Sequence, residues 1–153
     1  MRSLVRHAAA ALLLAGAALG APSAQAGIRY RFTFPEPQHR WMQVEIEFTG
    51  LTGPLELRMS QSSPGRYSLH DFAKNVYDVQ AVRHDGPPLS VVRTDPHGWV
   101  VADHGGSATV RYKIFGDTLD GTYLAVDSTH AHINMPAAVM WAKGLDDRPV
   151  SLR

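Results

Sequence analysis

Apolar and polar residues alternate along most of the chain. From Trp41, the residues Met42, Val44, Ile46 and Phe48 fall on one side and Gln43, Glu45 and Glu47 on the other. A period of two places such sets on opposite faces of a β-sheet. Ala108, Val110, Tyr112 and Ile114 repeat the pattern against Thr109, Arg111 and Lys113, and Ile28, Tyr30, Phe32 and Phe34 repeat it against Arg29, Arg31 and Thr33. Residues 76–82, 89–92 and 99–102 read as further strands. Turn chemistry separates the runs: Pro35-Glu36-Pro37, Gly53-Pro54, Asp85-Gly86-Pro87-Pro88, Asp95-Pro96-His97-Gly98 and His104-Gly105-Gly106. Glycine supplies positive φ and proline fixes φ, so each cluster marks a reversal. Many short strands at this spacing predict an all-β, antiparallel sandwich-like domain. One short helical turn is expected at residues 69–74, and residues 135–141 read as an apolar loop. At the other end, a turn over residues 144–149 leads into Val150-Ser151-Leu152-Arg153, which reads either as a frayed strand or as a strand that stops inside a larger unit.

The N-terminus has a different pattern. Arg2 and Arg6 precede an almost unbroken Ala/Leu run over residues 8–19, followed by Pro22 and Ala24-Gln25-Ala26. A basic start, a short apolar core and small residues at that spacing predict a secretory signal over residues 1–26. The run is shorter than the ~20 residues a spanning helix needs, and no later segment is apolar enough to cross a membrane. The expected product is an exported, periplasmic or secreted domain over residues 27–153. Loss of Arg2 and Arg6 takes the formal charge from +1 to −1, which gives no electrostatic pull toward nucleic acid. The chain has no cysteine. Disulfides and thiolate zinc sites are therefore excluded, and packing must hold the domain together.

Catalytic machinery is sparse. There is no Gly-x-Ser-x-Gly elbow, no phosphate loop and no His-Glu-x-x-His zinc helix. The most chemical segment is Asp127-Ser128-Thr129-His130-Ala131-His132-Ile133-Asn134, where an extended backbone places His130, His132 and Asn134 on one face. Three readings are open: two imidazoles holding a metal with Asp127 nearby, side chains that line a surface or cap a loop, or contact with a ligand or neighbouring domain. Ser62-Ser63-Pro64-Gly65-Arg66-Tyr67 is a second cluster. Pro-Gly predicts a tight turn, and the simplest expectation is that Tyr67 packs beneath it. Asp146 and Asp147 read as solvated.

Ser63-Pro64-Gly65-Arg66-Tyr67 through Phe72-Ala73-Lys74-Asn75-Val76 resembles the Pro-Gly-x-Tyr…Phe-Ala-x-Asn-Val signature of the N-terminal domain of the glycyl aminopeptidase family, family sixty-one of the metallopeptidases. Asp127 through Trp141 is similar to a second block of that family, Thr-His-Ala-His-x-Asn-Met-Pro-Ala, and Gly144-Leu145-Asp146-Asp147-Arg148-Pro149 to the segment after it. Phe32-Thr33-Phe34-Pro35-Glu36-Pro37-Gln38-His39 fits as well. Ser62 stands where many relatives have Trp. The resemblance implies a structural motif of Pro64, Gly65, Tyr67, Phe72 and Asn75. It also implies a β domain that precedes a gluzincin-type zinc aminopeptidase domain, often with a PDZ domain after it. Zinc and its ligands would belong to that second domain, so the chain itself is expected to hold no cofactor and no catalytic residue.

The resulting expectation is a non-catalytic domain that packs on a catalytic domain of the same protein and helps wall a cleft for the peptide N-terminus. Tyr123, His130, His132 and Asn134 are the cleft-facing candidates, and peptide is the expected substrate. The family domain is expected to extend beyond residue 153. A stand-alone binding module and a truncated, non-functional product are the alternatives.

Overall fold

The computed structural model describes residues 26–84 and 86–153. The signal segment expected over residues 1–26 therefore lies outside the described residues, apart from Ala26. The strands are β1 (Ile28–Thr33), β2 (Trp41–Thr49), β3 (Leu55–Met59), β4 (Val76–Val82), β5 (Pro88–Leu89), β6 (Val91–Asp95), β7 (Gly98–Val101), β8 (Ser107–Phe115), β9 (Leu124–Val126), β10 (Ala131–Ile133), β11 (Met140–Ala142) and β12 (Val150–Leu152). A single helical turn, α1 (Met135–Ala138), precedes β11.

Two sheets form the layers. The larger has the order β12-β1-β2-β8-β4-β5 and the smaller β11-β3-β7-β6, while β9 and β10 make a separate hairpin. Pairing is antiparallel between β1, β2, β8, β4 and β5, whereas β12 joins β1 in parallel. The C-terminal residues thus form a paired strand.

The alternation read from the sequence is the alternation of burial. Met42, Val44, Ile46 and Phe48 of β2 and Ala108, Val110, Tyr112 and Ile114 of β8 are all buried. They join Leu55, Leu57, Met59, Trp99, Val101 and Met140 of the smaller sheet in one core. Each fully buried Val, Leu or Ile contributes roughly 1.5–3 kcal/mol relative to exposure. In a chain without disulfides, that term dominates. Phe34 departs from the pattern: β1 ends at Thr33, and Phe34 lies outside it, exposed.

Polar bonds fix how the layers meet. The Tyr30 hydroxyl donates to the Met140 carbonyl at 2.9 Å. The Tyr112 hydroxyl donates to the Ala138 carbonyl at 2.9 Å and accepts from the Met140 amide at 3.0 Å. These two tyrosines of the large sheet hold the edge strand of the small one. Burial pushes both phenols above their ordinary range, with a smaller opposing effect at Tyr112 from the Met140 bond.

On the outer face of the large sheet, Glu45 is polar as expected yet only 8 % exposed. Arg31 bonds one of its carboxylate oxygens and Arg111 Nε the other at 2.5 Å. Burial opposes ionisation there, but these hydrogen bonds outweigh it and hold the carboxyl below its usual range.

The helical turn sits slightly later than the sequence predicts. It is a 3-10 turn over Phe72–Asn75, because the His70 amide is already committed to the Gln61 carbonyl at 2.7 Å. Residues 135–141 are also more regular than a loop. Pro136 opens α1, and β11 then pairs with β3.

Candidate functional site

Three connections cluster at one end of the sandwich: residues 60–71 after β3, residues 116–123 after β8, and the hairpin β9–β10 with the start of α1. Their local structure comes from short polar side chains that satisfy neighbouring amides. The Pro64-Gly65 turn closes through the Arg66 amide and Ser63 carbonyl at 3.0 Å, with Gly65 at φ +76°. A residue with a Cβ is disfavoured in that conformation. The Asp120 carboxylate accepts from the Thr122 and Tyr123 amides at 2.7 and 2.8 Å. The Asp127 carboxylate accepts from the Thr129 amide and hydroxyl and from the His130 amide, at 2.7, 2.6 and 3.0 Å.

Both aspartates are held below the usual carboxylate range. For Asp120 the amides of Tyr123 and Thr122 are the main cause. For Asp127 the Thr129 hydroxyl leads, followed by the Thr129 and His130 amides, and the pKa falls to about 2.

Asn134 ties the connections together. Its side-chain amide donates to Ser63 Oγ at 3.0 Å and also to the Thr122 carbonyl. Ser63 is buried, and Gly121 leaves room for the Arg66 guanidinium: a Cβ at position 121 would lie 2.5 Å from Arg66 Nη2.

Aromatic packing adds a second tie. The His70 and Phe72 rings stack at 5.2 Å, and Tyr123 meets both edge-on at 5.6 and 5.2 Å. The Lys74 ammonium lies 5.5 Å from the Tyr123 ring centre. Phe72 is buried beneath this group and Asn75 closes the turn, half-buried.

The structure separates the four cleft candidates. His130 and His132 are exposed on the β9–β10 hairpin. His130 Nδ1 lies 2.8 Å from the Thr129 hydroxyl. Asn134 lies beyond the strand and turns inward to Ser63 and Thr122, and Tyr123 belongs to the aromatic group under the loops. The metal reading fits poorly. Asp127 spends its carboxylate on the hairpin turn, and among the described residues no group of three or more His, Asp or Glu side chains converges. The residues therefore do not suit a zinc ion.

Tyr67 is the clear correction. The sequence favours a tyrosine packed beneath its turn, but the side chain is fully exposed. Turn closure and the Ser63–Asn134 bond make that packing unnecessary. Leu69, Leu119 and Met135 are exposed on the same connections, so the end of the sandwich presents an apolar rim of four side chains. Leu119 and the contacts of His70 and Lys74 with Tyr123 were not singled out in the sequence. The available signal was an apolar residue immediately before Asp120-Gly121, a turn-forming pair.

The chain resembles known proteins in sequence and in shape. The family model described as the peptidase M61 N-terminal domain matches residues 29–153. No curated protein matches the chain. Among solved structures, an aminopeptidase N family protein from Idiomarina loihiensis superposes with a TM-score of 0.77 at 21% identity, over 82% of this chain and 22% of that one. At that identity the likeness is one of fold, and the chain spans about a fifth of the length of that protein. Signature turn, hairpin and strand order lie within the matched span, and the chain belongs to the peptidase M61 N-terminal domain family.

Proposed function

We propose that this chain is the non-catalytic N-terminal domain of an exported zinc aminopeptidase. It packs on the catalytic domain through the loop end and helps shape the cleft that receives the peptide N-terminus. One observation carries the reading: Tyr67, Leu69, Leu119 and Met135 are apolar and exposed on connections locked together by Asn134, Asp120 and Asp127. Apolar side chains carried on braced connections leave little backbone ordering to be done on docking, and apolar anchors with a polar surround are the usual make-up of an interface centre. His130 and His132 stand beside that rim and offer hydrogen bonds to a peptide backbone or amine. Asn134 and Tyr123 act as positioning residues that hold the loops.

The test uses a peptidase M61 enzyme that carries residues 27–153 in place of its own N-terminal domain. Tyr67→Ser together with Leu69→Ser is expected to lower kcat/KM about tenfold and to make the domain easier to release by limited proteolysis. Val92→Ser, an exposed apolar position on β6, serves as the control. Equal behaviour of the loop variant and the control would refute docking through this end. His132→Ala in the same hybrid separates docking from substrate contact, because it should change KM without promoting release of the domain.

A further inference from the structure

We propose that the outer face of the large sheet carries a carbohydrate site. In it Trp41, Tyr77 and Phe115 receive the flat face of a neutral pyranose, and Asp78 and Lys113 bond its hydroxyls. These five residues line a shallow depression of about 400 Å³. Trp41 and Phe115 are direct partners across β2 and β8, and Tyr77 pairs with Lys113 across β4 and β8. The ring centres of Tyr77 and Phe115 each lie 5.3 Å from that of Trp41, at interplanar angles of 87° and 64°. Tyr77 remains 46 % exposed. A partly solvent-facing aromatic group at the end of the sheet face where β2 begins and β8 ends offers electron-rich ring faces. The C–H bonds on one face of a pyranose are the complementary surface.

The polar rim is built by a backbone irregularity. Simple alternation would turn Asp78 inward, as the residue after outward-facing Tyr77. Instead the β4–β8 register shifts between Tyr77 and Gln80, and Asp78 takes φ +54°. Aspartate tolerates that region better than most residues, and bulges commonly re-aim a side chain beside a site. Here the bulge brings the carboxylate out to within 3.3 Å of Lys113 Nζ. A carboxylate acceptor beside an ammonium donor suits a pair of neighbouring hydroxyls, each of which both donates and accepts.

Two other occupants fit less well. An extended peptide needs a free sheet edge, but Trp41 and Phe115 stand on the interior strands β2 and β8, and a peptide added to β4 beyond its short pairing with β5 at Ala81 and Val82 would meet only Tyr77 and Asp78. A quaternary cation needs rings that surround it, whereas these rings touch one another and Lys113 adds a like charge.

The full-length chain is titrated with cellotetraose and chitotetraose by calorimetry and by tryptophan fluorescence. Saturable binding is expected for at least one of them. Tyr77→Ser and Asp78→Gly should each weaken it about tenfold or more, from lost stacking and a lost charged hydrogen bond respectively. Glycine accepts the φ of residue 78, so the second variant keeps the bulge and removes only the carboxylate. Trp141→Ser, on the small sheet, should leave binding unchanged. No binding of either sugar at millimolar concentration, or binding that both variants retain, overturns the proposal. So does stronger binding of tetramethylammonium than of the sugars.

Discussion

Asn134 secures two connections with one amide group, and its neighbours secure themselves with carboxylates. Replacing it by alanine leaves the Thr122 carbonyl and Ser63 hydroxyl without that donor. Asn134→Ala is expected to destabilise the domain by about 1–2 kcal/mol and to speed proteolytic cleavage within residues 60–71, as chemical denaturation and limited proteolysis would report. Asp127 supplies a pH-dependent counterpart. Its folded pKa of about 2 lies below an unfolded aspartate value of about 3.9. Its contribution is therefore complete above the unfolded value and disappears as pH falls through the folded one. The melting temperature of Asp127→Ala should lie below that of the wild type at neutral pH, and the gap should close as the pH approaches about 2. A gap that persists in acid would mean that the carboxylate charge is not what holds the hairpin. At this scale the sequence was only partly legible. His130, His132 and Asn134 share a two-residue spacing, but β10 ends at Ile133, so spacing stops predicting direction at Asn134. Tyr67 departs from the packed position that the sequence favours, because nothing local reveals that Ser63, beside the turn, is already braced by Asn134, 71 positions downstream.

Strands were far more legible than sites. In β2 and β8 every second residue is apolar, and the period fixes both the element type and its buried face. The irregular pieces are those set by partners outside their own element. The 3-10 turn starts late because the His70 amide is bonded to Gln61, and β11 forms because Tyr30 and Tyr112 reach across from the other sheet. Gln61 lies nine positions before His70, whereas Tyr112 and Tyr30 lie 28 and 110 positions from Met140. Tyr112→Phe tests this cross-layer tie, since it keeps the ring and strands the Met140 amide and Ala138 carbonyl in the core. A loss of about 1–3 kcal/mol is expected by denaturant unfolding, against almost none for Tyr67→Phe at the exposed loop. Equal small losses would show that the hydroxyl contributes nothing beyond the ring.

Among the described residues, two layered sheets and one separate hairpin are held without a disulfide by one core, and a late strand covers the outer edge of β1. Fold class followed from alternation and turn spacing, but the pairing of the sheet edges did not, because a three-residue strand carries too little pattern to name its neighbour. The Pro149 carbonyl takes the Ile28 amide, the Arg153 carbonyl takes the Phe32 amide, and the Arg153 amide returns a bond to Tyr30. Deleting residues 150–153 should therefore expose the outer edge of β1 and produce concentration-dependent oligomers in size-exclusion chromatography with light scattering, since open edges template pairing. A monomeric deletion variant would mean that β1 is protected by other means. The same pairing orders events in time. Residues 150–152 meet β1 from more than a hundred positions away, and contacts that distant form slowly. While the chain is still being synthesised, β1 waits with one side unoccupied. An edge left open for that interval can template pairing with another chain.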